Sequence, residues 1–94
     1  MLTLKRIEGD SMSPSLQNGD YILACLWPRW LLKPKQIIVL KHPIYGDIIK
    51  RIDTIDEQGQ LTLIGDNHRS VSREAMGKIS KQIKTWKVIK RIKP

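Results

Sequence analysis

Apolar residues in this chain occur in short runs, and each run is bounded by a turn that contains glycine or proline. Runs of this length, with little 3.6-residue periodicity, favour β-strands over helices. Glycine and proline supply the backbone dihedral angles that tight turns need. The sequence therefore predicts an all-β domain, with strands over residues 3–7, 20–26, 36–41, 47–55 and 60–64.

The C-terminal segment is ambiguous in its periodicity. Ile79, Ile83 and Trp86 fit one face of a helix, whereas the residues from Trp86 onward alternate as a strand does. We expect at most one short helix or turn here, near Ser80, followed by a strand. The predicted architecture is a small, coiled, partly closed β-barrel.

The length of the chain restricts its organisation. Its 94 residues allow one domain, residues 1–94, with one compact core. The longest uncharged run, residues 21–28, is far shorter than the roughly 20 residues that span a bilayer, and the N-terminus lacks the apolar stretch of a signal peptide. These features predict a cytoplasmic protein. The single cysteine, Cys25, excludes an internal disulfide, and we expect no metal or cofactor.

Positive charge is concentrated at the C-terminal end. The chain has 17 Lys and Arg against 9 Asp and Glu, a formal net charge of +8. Residues 1–74 are nearly neutral, whereas residues 75–94 hold seven cations and no acid. Such a segment is either a solvated face or a surface that attracts nucleic acid, anionic lipid or an acidic substrate. Because no strand is studded with aromatic residues for base stacking, nucleic acid is not an obligatory partner.

Residues 27–32 form an apolar loop bounded by proline. It contains Trp27, Trp30, Leu31 and Leu32. We expect at least half of these side chains to pack into the core, since a small domain without Phe needs its large residues there. The side chains that do not pack into the core are expected to form an exposed apolar patch, either for a partner or for weak contact with a membrane surface.

A serine lies in a tight turn directly after the first predicted strand. Gly9 permits close approach of a substrate backbone, and amides in the turn could stabilise an oxyanion. By itself the pattern is weak, because these are ordinary turn residues. The candidate residues are Ser11 as a nucleophile, with Gly9, Asp10, Met12 and Pro14 as oxyanion or substrate-binding positions.

A lysine interrupts the apolar strand 47–55. In a strand, Ile48, Lys50 and Ile52 share one face, and Arg51 lies on the other. If the face of Lys50 points inward, desolvation lowers its pKa and the neutral amine can accept a proton from a serine. The alternative is a lysine that faces solvent at the edge of a sheet.

A polar loop follows the last predicted strand of the body, at residues 65–73. Its Asp and Asn side chains can bond their own backbone, and a serine there could hold the lysine amine in place. The candidate dyad-supporting residues are Asp66, Asn67, Ser70, Ser72 and Arg73.

Taken in order, these segments resemble the type I signal peptidases, which are Ser-Lys dyad serine peptidases. Residues 11–16, followed by Gly19 and Asp20, resemble the S-M-x-P-T-L nucleophile box and its following G-D. Residues 47–51 resemble the lysine box, and residues 65–73 resemble the G-D-N-x-x-S-x-D-S-R box. The resemblance implies that Ser11 is the nucleophile, that Lys50 is the general base, and that the backbone amide of Ser11 contributes to the oxyanion hole.

The sequence departs from the family pattern at three points. Ser15 stands where the family usually has Thr. The third box lacks its aspartate and is about one residue shorter, which leaves either Ser70 or Ser72 for the lysine-orienting role. The nucleophile lies only ten residues after the first residue of the sequence, with no preceding membrane anchor, as in the short soluble maturation proteases of nickel-type superoxide dismutase.

The resemblance predicts a serine endopeptidase that removes an N-terminal propeptide or signal-like segment. Its partner would be a precursor protein bound as an extended strand, and a nickel superoxide dismutase precursor is a candidate. Two alternatives remain: a self-cleaving repressor-type peptidase domain, and a non-enzymatic β-barrel that binds nucleic acid through its basic C-terminal segment. A Ser-His-Asp triad with His42 or His68 has no supporting motif.

Overall fold

A computed structural model describes residues 1–9, 12–66 and 77–93. In these residues the chain forms six β-strands and one turn of 3-10 helix at Arg29–Leu31. The predicted all-β fold class is confirmed. The strands are β1 (Leu2–Arg6), β2 (Tyr21–Trp27), β3 (Ile37–His42), β4 (Gly46–Ile55), β5 (Leu61–Ile64) and β6 (Thr85–Ile92).

The strands of the body begin and end within one residue of their predicted bounds. The C-terminal segment also behaves as predicted. A turn, closed where the Ile83 N–H donates to the Ser80 carbonyl, precedes the strand β6. The short helix lies elsewhere than expected, because Arg29–Leu31 follows β2 in the apolar loop.

All six strands belong to one antiparallel sheet in the order β1-β2-β6-β3-β4-β5. The last strand in the chain is therefore central, since β6 lies between β2 and β3. The cationic segment of the sequence is thus not a free tail. Much of it is a sheet strand whose backbone pairs on both sides.

The sheet buries apolar residues on both faces. Alternation along β3 sends Ile38 and Leu40 to one face and Val39 to the other. The Leu61 cluster, on the first face, contains Leu32, Ile38, Leu40, Ile52, Leu61, Leu63 and Ile79. The Met12 cluster, on the second, contains Ile7, Met12, Leu16, Ile22, Ala24 and Val39.

The sheet coils around the Met12 cluster. In a flat sheet β1 and β4 would lie about 19 Å apart, because neighbouring strands are spaced about 4.8 Å. Yet Lys5 Nζ on β1 lies 3.2 Å from Asp47 Oδ2 on β4. The two edge strands, β1 and β5, do not pair with each other among the described residues, so the sheet is curved and open. This shape is compatible with the predicted partly closed barrel.

Within the described ranges, no helix has both the length and the apolar character needed to cross a bilayer.

Candidate active site

Lys50 lies in the middle of β4 and is buried. It pairs with Ile38 of β3 and shares a strand face with Ile48 and Ile52. Ile52 belongs to the Leu61 cluster, and Ile48 packs against that cluster. Only 4% of Lys50 is exposed. The inward orientation that the sequence left open is therefore the one adopted.

Burial lowers the pKa of Lys50 below the ordinary value for a lysine. The cause is desolvation, which penalises the ammonium form far more than the neutral amine. Among the residues that the structure describes, no carboxylate pairs with Lys50 to offset this penalty. Such an environment favours a lysine that acts as a base.

Arg51, the next residue, lies on the opposite face of β4 and joins three segments of the chain. Its Nε and Nη2 donate to the two carboxylate oxygens of Asp66 at 2.8 and 2.7 Å. Nη2 also donates to Ser15 Oγ at 3.3 Å, and Nη1 donates to the Lys35 carbonyl at 2.7 Å. The fork of the guanidinium thus binds Asp66 in the bidentate geometry that arginine favours.

The ion pair shifts both partners toward their charged forms. The hydrogen bond from Arg51 holds the pKa of Asp66 below its ordinary value, and a hydrogen bond from Ser15 acts in the same direction. The pKa of Arg51 is raised, chiefly by its hydrogen bond to Asp66. The predicted dyad-supporting residue Asp66 therefore contacts Arg51 and Ser15 in the structure.

The sequence reasoning did not assign a role to Arg51 or Ser15. The sequence did contain a clue, because each of the three motif segments includes a side chain that can pair with the others: a hydroxyl, a guanidinium and a carboxylate. What sequence spacing could not show is that these three side chains meet. Their contacts link the serine turn, β4 and the loop after β5.

The ends of the segment that carries Ser11 are fixed by hydrogen bonds. Ile7 N–H donates to the Asp20 carbonyl at 2.7 Å, and Gly19 N–H donates to the Ile7 carbonyl at 2.9 Å. Gly9, with a φ of +85°, donates from its backbone to Asn18 Oδ1 at 3.0 Å. A left-handed φ is one that glycine adopts without strain, so Gly9 suits this turn.

Asp20 attaches the same segment to the central strand β6. Its Oδ2 accepts from the backbone N–H of Gln17 at 3.0 Å and from Arg91 Nε at 2.7 Å. These bonds keep the pKa of Asp20 low, with the Gln17 bond as the largest cause. The cationic segment thus supplies at least one structural partner, Arg91, to the serine segment.

Besides Gly9, two of the proposed substrate-binding positions are described, and they differ in exposure. Met12 is 2% exposed and packs its side chain into the Met12 cluster, so that side chain is a core element. Pro14 is exposed. Ile49 of β4 packs against the same cluster, which places Met12 on the face of β4 opposite to Lys50.

The remaining predicted site residues lie outside the described residues. They are Asp10, Ser11, Asn67, Ser70, Ser72 and Arg73. The pairing of Ser11 with Lys50 therefore stays a prediction, as does the choice between Ser70 and Ser72.

The described part of the chain contains no cluster of three or more His, Cys, Asp or Glu side chains that could hold a metal ion. No protein-family model matches the chain, and no curated protein matches it.

Proposed function

We propose that this protein is a serine endopeptidase in which Ser11 is the nucleophile and Lys50 is the general base. The observation that carries the proposal is the buried Lys50 amine, whose pKa is lowered by desolvation with no carboxylate beside it in the described residues. A lowered pKa increases the fraction of lysine that is neutral at a given pH, and the neutral amine is the form that accepts a proton. A purely structural lysine would gain from a carboxylate partner.

The Arg51 contacts support the same assignment. They tie Ser15, four residues after Ser11, to the residue adjacent to Lys50, and they bind Asp66 at the start of the third motif segment. One described residue from each of the three segments on which the resemblance to signal peptidases rests therefore takes part in this group of contacts. The proposal requires the Ser11 hydroxyl to reach the Lys50 face of β4, although Met12 packs on the other face.

The proposed reaction proceeds through an acyl-enzyme. The neutral Lys50 amine takes the proton of the Ser11 hydroxyl while Oγ attacks the scissile carbonyl carbon. The proton then passes to the departing amine as the peptide C–N bond breaks. A water molecule gives a proton to Lys50 and attacks the ester, and Ser11 is released with its hydroxyl restored.

The proposed substrate is a precursor protein whose N-terminal propeptide or signal-like segment is removed. An extended segment would pair with sheet backbone beside the serine turn, where main-chain bonds give affinity and side-chain pockets give specificity. The precursor of a nickel-type superoxide dismutase is the leading candidate, on the strength of the sequence resemblance.

Cleavage assays with the Ser11→Ala and Lys50→Met variants test this function. We expect both substitutions to abolish cleavage of the precursor, with losses on the order of a thousandfold or more. Lys41→Met is the matched control, because Lys41 lies on β3 but is exposed. Full cleavage by either variant, or an equal loss in the control, would contradict the assignment.

A titration of the Lys50 amine tests the dyad without any substrate. With nitrogen-labelled lysine, NMR reports the pKa of Lys50 in the wild type and in Ser11→Ala. If the hydroxyl contacts the amine, removing it shifts that pKa. An unchanged titration would show that Ser11 lies out of reach of Lys50.

A further inference from the structure

The apolar loop after β2 divides its side chains between the core and the surface. Leu32 is buried in the Leu61 cluster, and Trp27 packs against that cluster with Lys87 Nζ 4.8 Å from its ring centroid. In contrast, Trp30 is 82% exposed and Leu31 is 41% exposed. Trp27 and Leu32 therefore anchor the loop to the core, whereas Trp30 and Leu31 are presented to solvent.

Arg29 holds this loop against two neighbouring turns. Its Nη1 donates to the Gly59 carbonyl at 2.8 Å, and Nε donates to the Ile83 carbonyl at 3.3 Å. Nη2 donates to the Ser80 carbonyl. Three backbone acceptors on one guanidinium fix the 3-10 helix, so Trp30 is presented from an ordered support.

The turn that Arg29 binds through Ser80 and Ile83 also carries cations. Lys81 and Lys84 flank the two turn residues that Arg29 binds, Lys33 follows the helix in sequence, and all three are exposed. We define the Trp30 patch as Trp30, Leu31, Lys33, Lys81 and Lys84.

The turn that contains Gly59, between β4 and β5, also contains two acids, Asp56 and Glu57. Asp56 is already paired with Lys78 at 3.2 Å, whereas Glu57 is exposed. The three lysines of the Trp30 patch outnumber that one exposed acid, so the patch carries excess positive charge.

We propose that the Trp30 patch binds the surface of an anionic lipid bilayer. Trp30 and Leu31 enter the interface between headgroups and acyl chains, where amphipathic indole rings are favoured. Lys33, Lys81 and Lys84 lie against the anionic headgroups. With two apolar side chains and three cations, the binding is peripheral and reversible.

The composition of the patch favours lipid over single-stranded nucleic acid. Stacking platforms align several aromatic rings along a cationic groove, whereas this patch pairs one ring with an aliphatic Leu31. The inference does not depend on the proposed peptidase activity, since it concerns a surface that carries none of the proposed catalytic residues.

Co-sedimentation with vesicles tests the proposal directly. The probes are phosphatidylcholine vesicles with and without about one quarter phosphatidylserine. We expect binding only to the anionic vesicles, with loss at high salt. Each lysine near such a surface contributes roughly a fivefold gain in partitioning, so Lys33→Gln, Lys81→Gln and Lys84→Gln together weaken binding by on the order of a hundredfold. Trp30→Ser weakens it by on the order of tenfold.

Two matched controls separate position from bulk properties. Ile44→Ser removes an apolar side chain of similar exposure, 78%, from the turn between β3 and β4. The triple substitution of Lys41, Lys90 and Lys93 by Gln removes the same net charge at other exposed sites. We expect both controls to bind like the wild type.

Tryptophan fluorescence gives a second measurement. We expect a blue shift on binding that Trp30→Ser eliminates, because Trp27 and Trp86 are already half-buried.

The proposal is overturned if the protein does not bind anionic vesicles, or if the control triple loses as much affinity as the patch triple. It is also overturned if Trp30→Ser instead abolishes binding to a single-stranded oligonucleotide or self-association of the chain. Because these assays measure no cleavage, their failure leaves the Ser11 and Lys50 tests independent.

Discussion

Lys50 and Arg51 are adjacent basic residues on β4, but they lie on opposite faces of the strand and their pKa values shift in opposite directions. Lys50 is buried beside the Leu61 cluster, and its pKa is lowered. Arg51 faces the other side, binds Asp66 through two hydrogen bonds, and has its pKa raised. Two neighbouring residues therefore differ: the surroundings of Lys50 disfavour its charged form, and those of Arg51 favour it.

The difference shows that the partner decides what burial does to a charge. Desolvation penalises both cations, but a bidentate carboxylate more than offsets the penalty at Arg51. The side-chain types also suit the two positions. Arginine stays charged and fits a carboxylate fork, whereas lysine loses its proton more readily when buried.

The largest expected effect comes from placing a permanent charge on the Lys50 face. Lys50→Arg introduces a larger guanidinium that cannot become neutral, so we expect the free energy of unfolding to fall by about 3 kcal/mol. Urea denaturation measures the change. Arg51→Lys keeps the charge beside Asp66 and should cost less. Equal losses for the two substitutions would show that the faces do not differ.

Removing the acid from the Arg51 face should give the next largest effect. Asp66→Asn leaves the guanidinium without its carboxylate, and we expect a loss of about 2 kcal/mol in the free energy of unfolding. Asp47→Asn is the control, because its ion pair with Lys5 is more exposed and should contribute far less. The same denaturation experiment distinguishes them. A larger loss for Asp47→Asn would contradict the role given to Arg51.

Stability should rise with pH through both groups, but in different pH ranges and for opposite reasons. Protonated Lys50 destabilises the fold below its lowered pKa, and that cost disappears as pH rises from there toward about 10.4. Lys50→Met should therefore raise the free energy of unfolding at neutral pH by about 1 kcal/mol and remove this alkaline rise. Asp66 acts in the acid range, where its charged form stabilises the fold. That stabilisation is complete above about pH 3.9 and is lost as pH falls through its lowered pKa.

Denaturation midpoints of the wild type, Lys50→Met and Asp66→Asn across pH test this contrast. An alkaline rise that persists in Lys50→Met would assign it to another group. If the loss of stability at low pH persists unchanged in Asp66→Asn, that loss belongs to a group other than Asp66.

The smallest expected effect concerns the serine turn. Ser15→Ala removes the hydroxyl that contacts Arg51 and Asp66, and we expect a loss of about 0.5 kcal/mol in the free energy of unfolding. Cleavage by the proposed peptidase should decline more than stability does, because this contact ties the Ser11 segment to β4. A change in stability with no change in cleavage would limit Ser15 to a structural role.

The strands were predictable because their signals are local. Alternation and Gly or Pro turns specify each strand within a few residues of sequence, and the observed bounds agree with the predicted ones. The strand order was not predictable from those signals. The insertion of β6 between β2 and β3 depends on contacts between residues far apart in the chain.

The candidate site shows the same division. Lys50 stood out because a cation interrupts an apolar run, and alternation placed it on the opposite face from Arg51. Which face was buried could not be read from the strand alone, because both Ile48 and Ile49 are apolar. The contact of Ser15, Arg51 and Asp66 likewise requires three distant segments to meet.

The all-β class, the strand positions and the candidate chemical residues follow from the sequence, because each of these depends on neighbouring residues and side-chain type. The folded arrangement, by contrast, buries Lys50 without a carboxylate partner in the described residues and gives Arg51 the carboxylate of Asp66. The same holds for Arg29, whose hydrogen bonds to two distant turns hold the 3-10 helix that exposes Trp30. Burial and charge pairing are properties of surroundings, and the surroundings of these side chains come from remote parts of the chain.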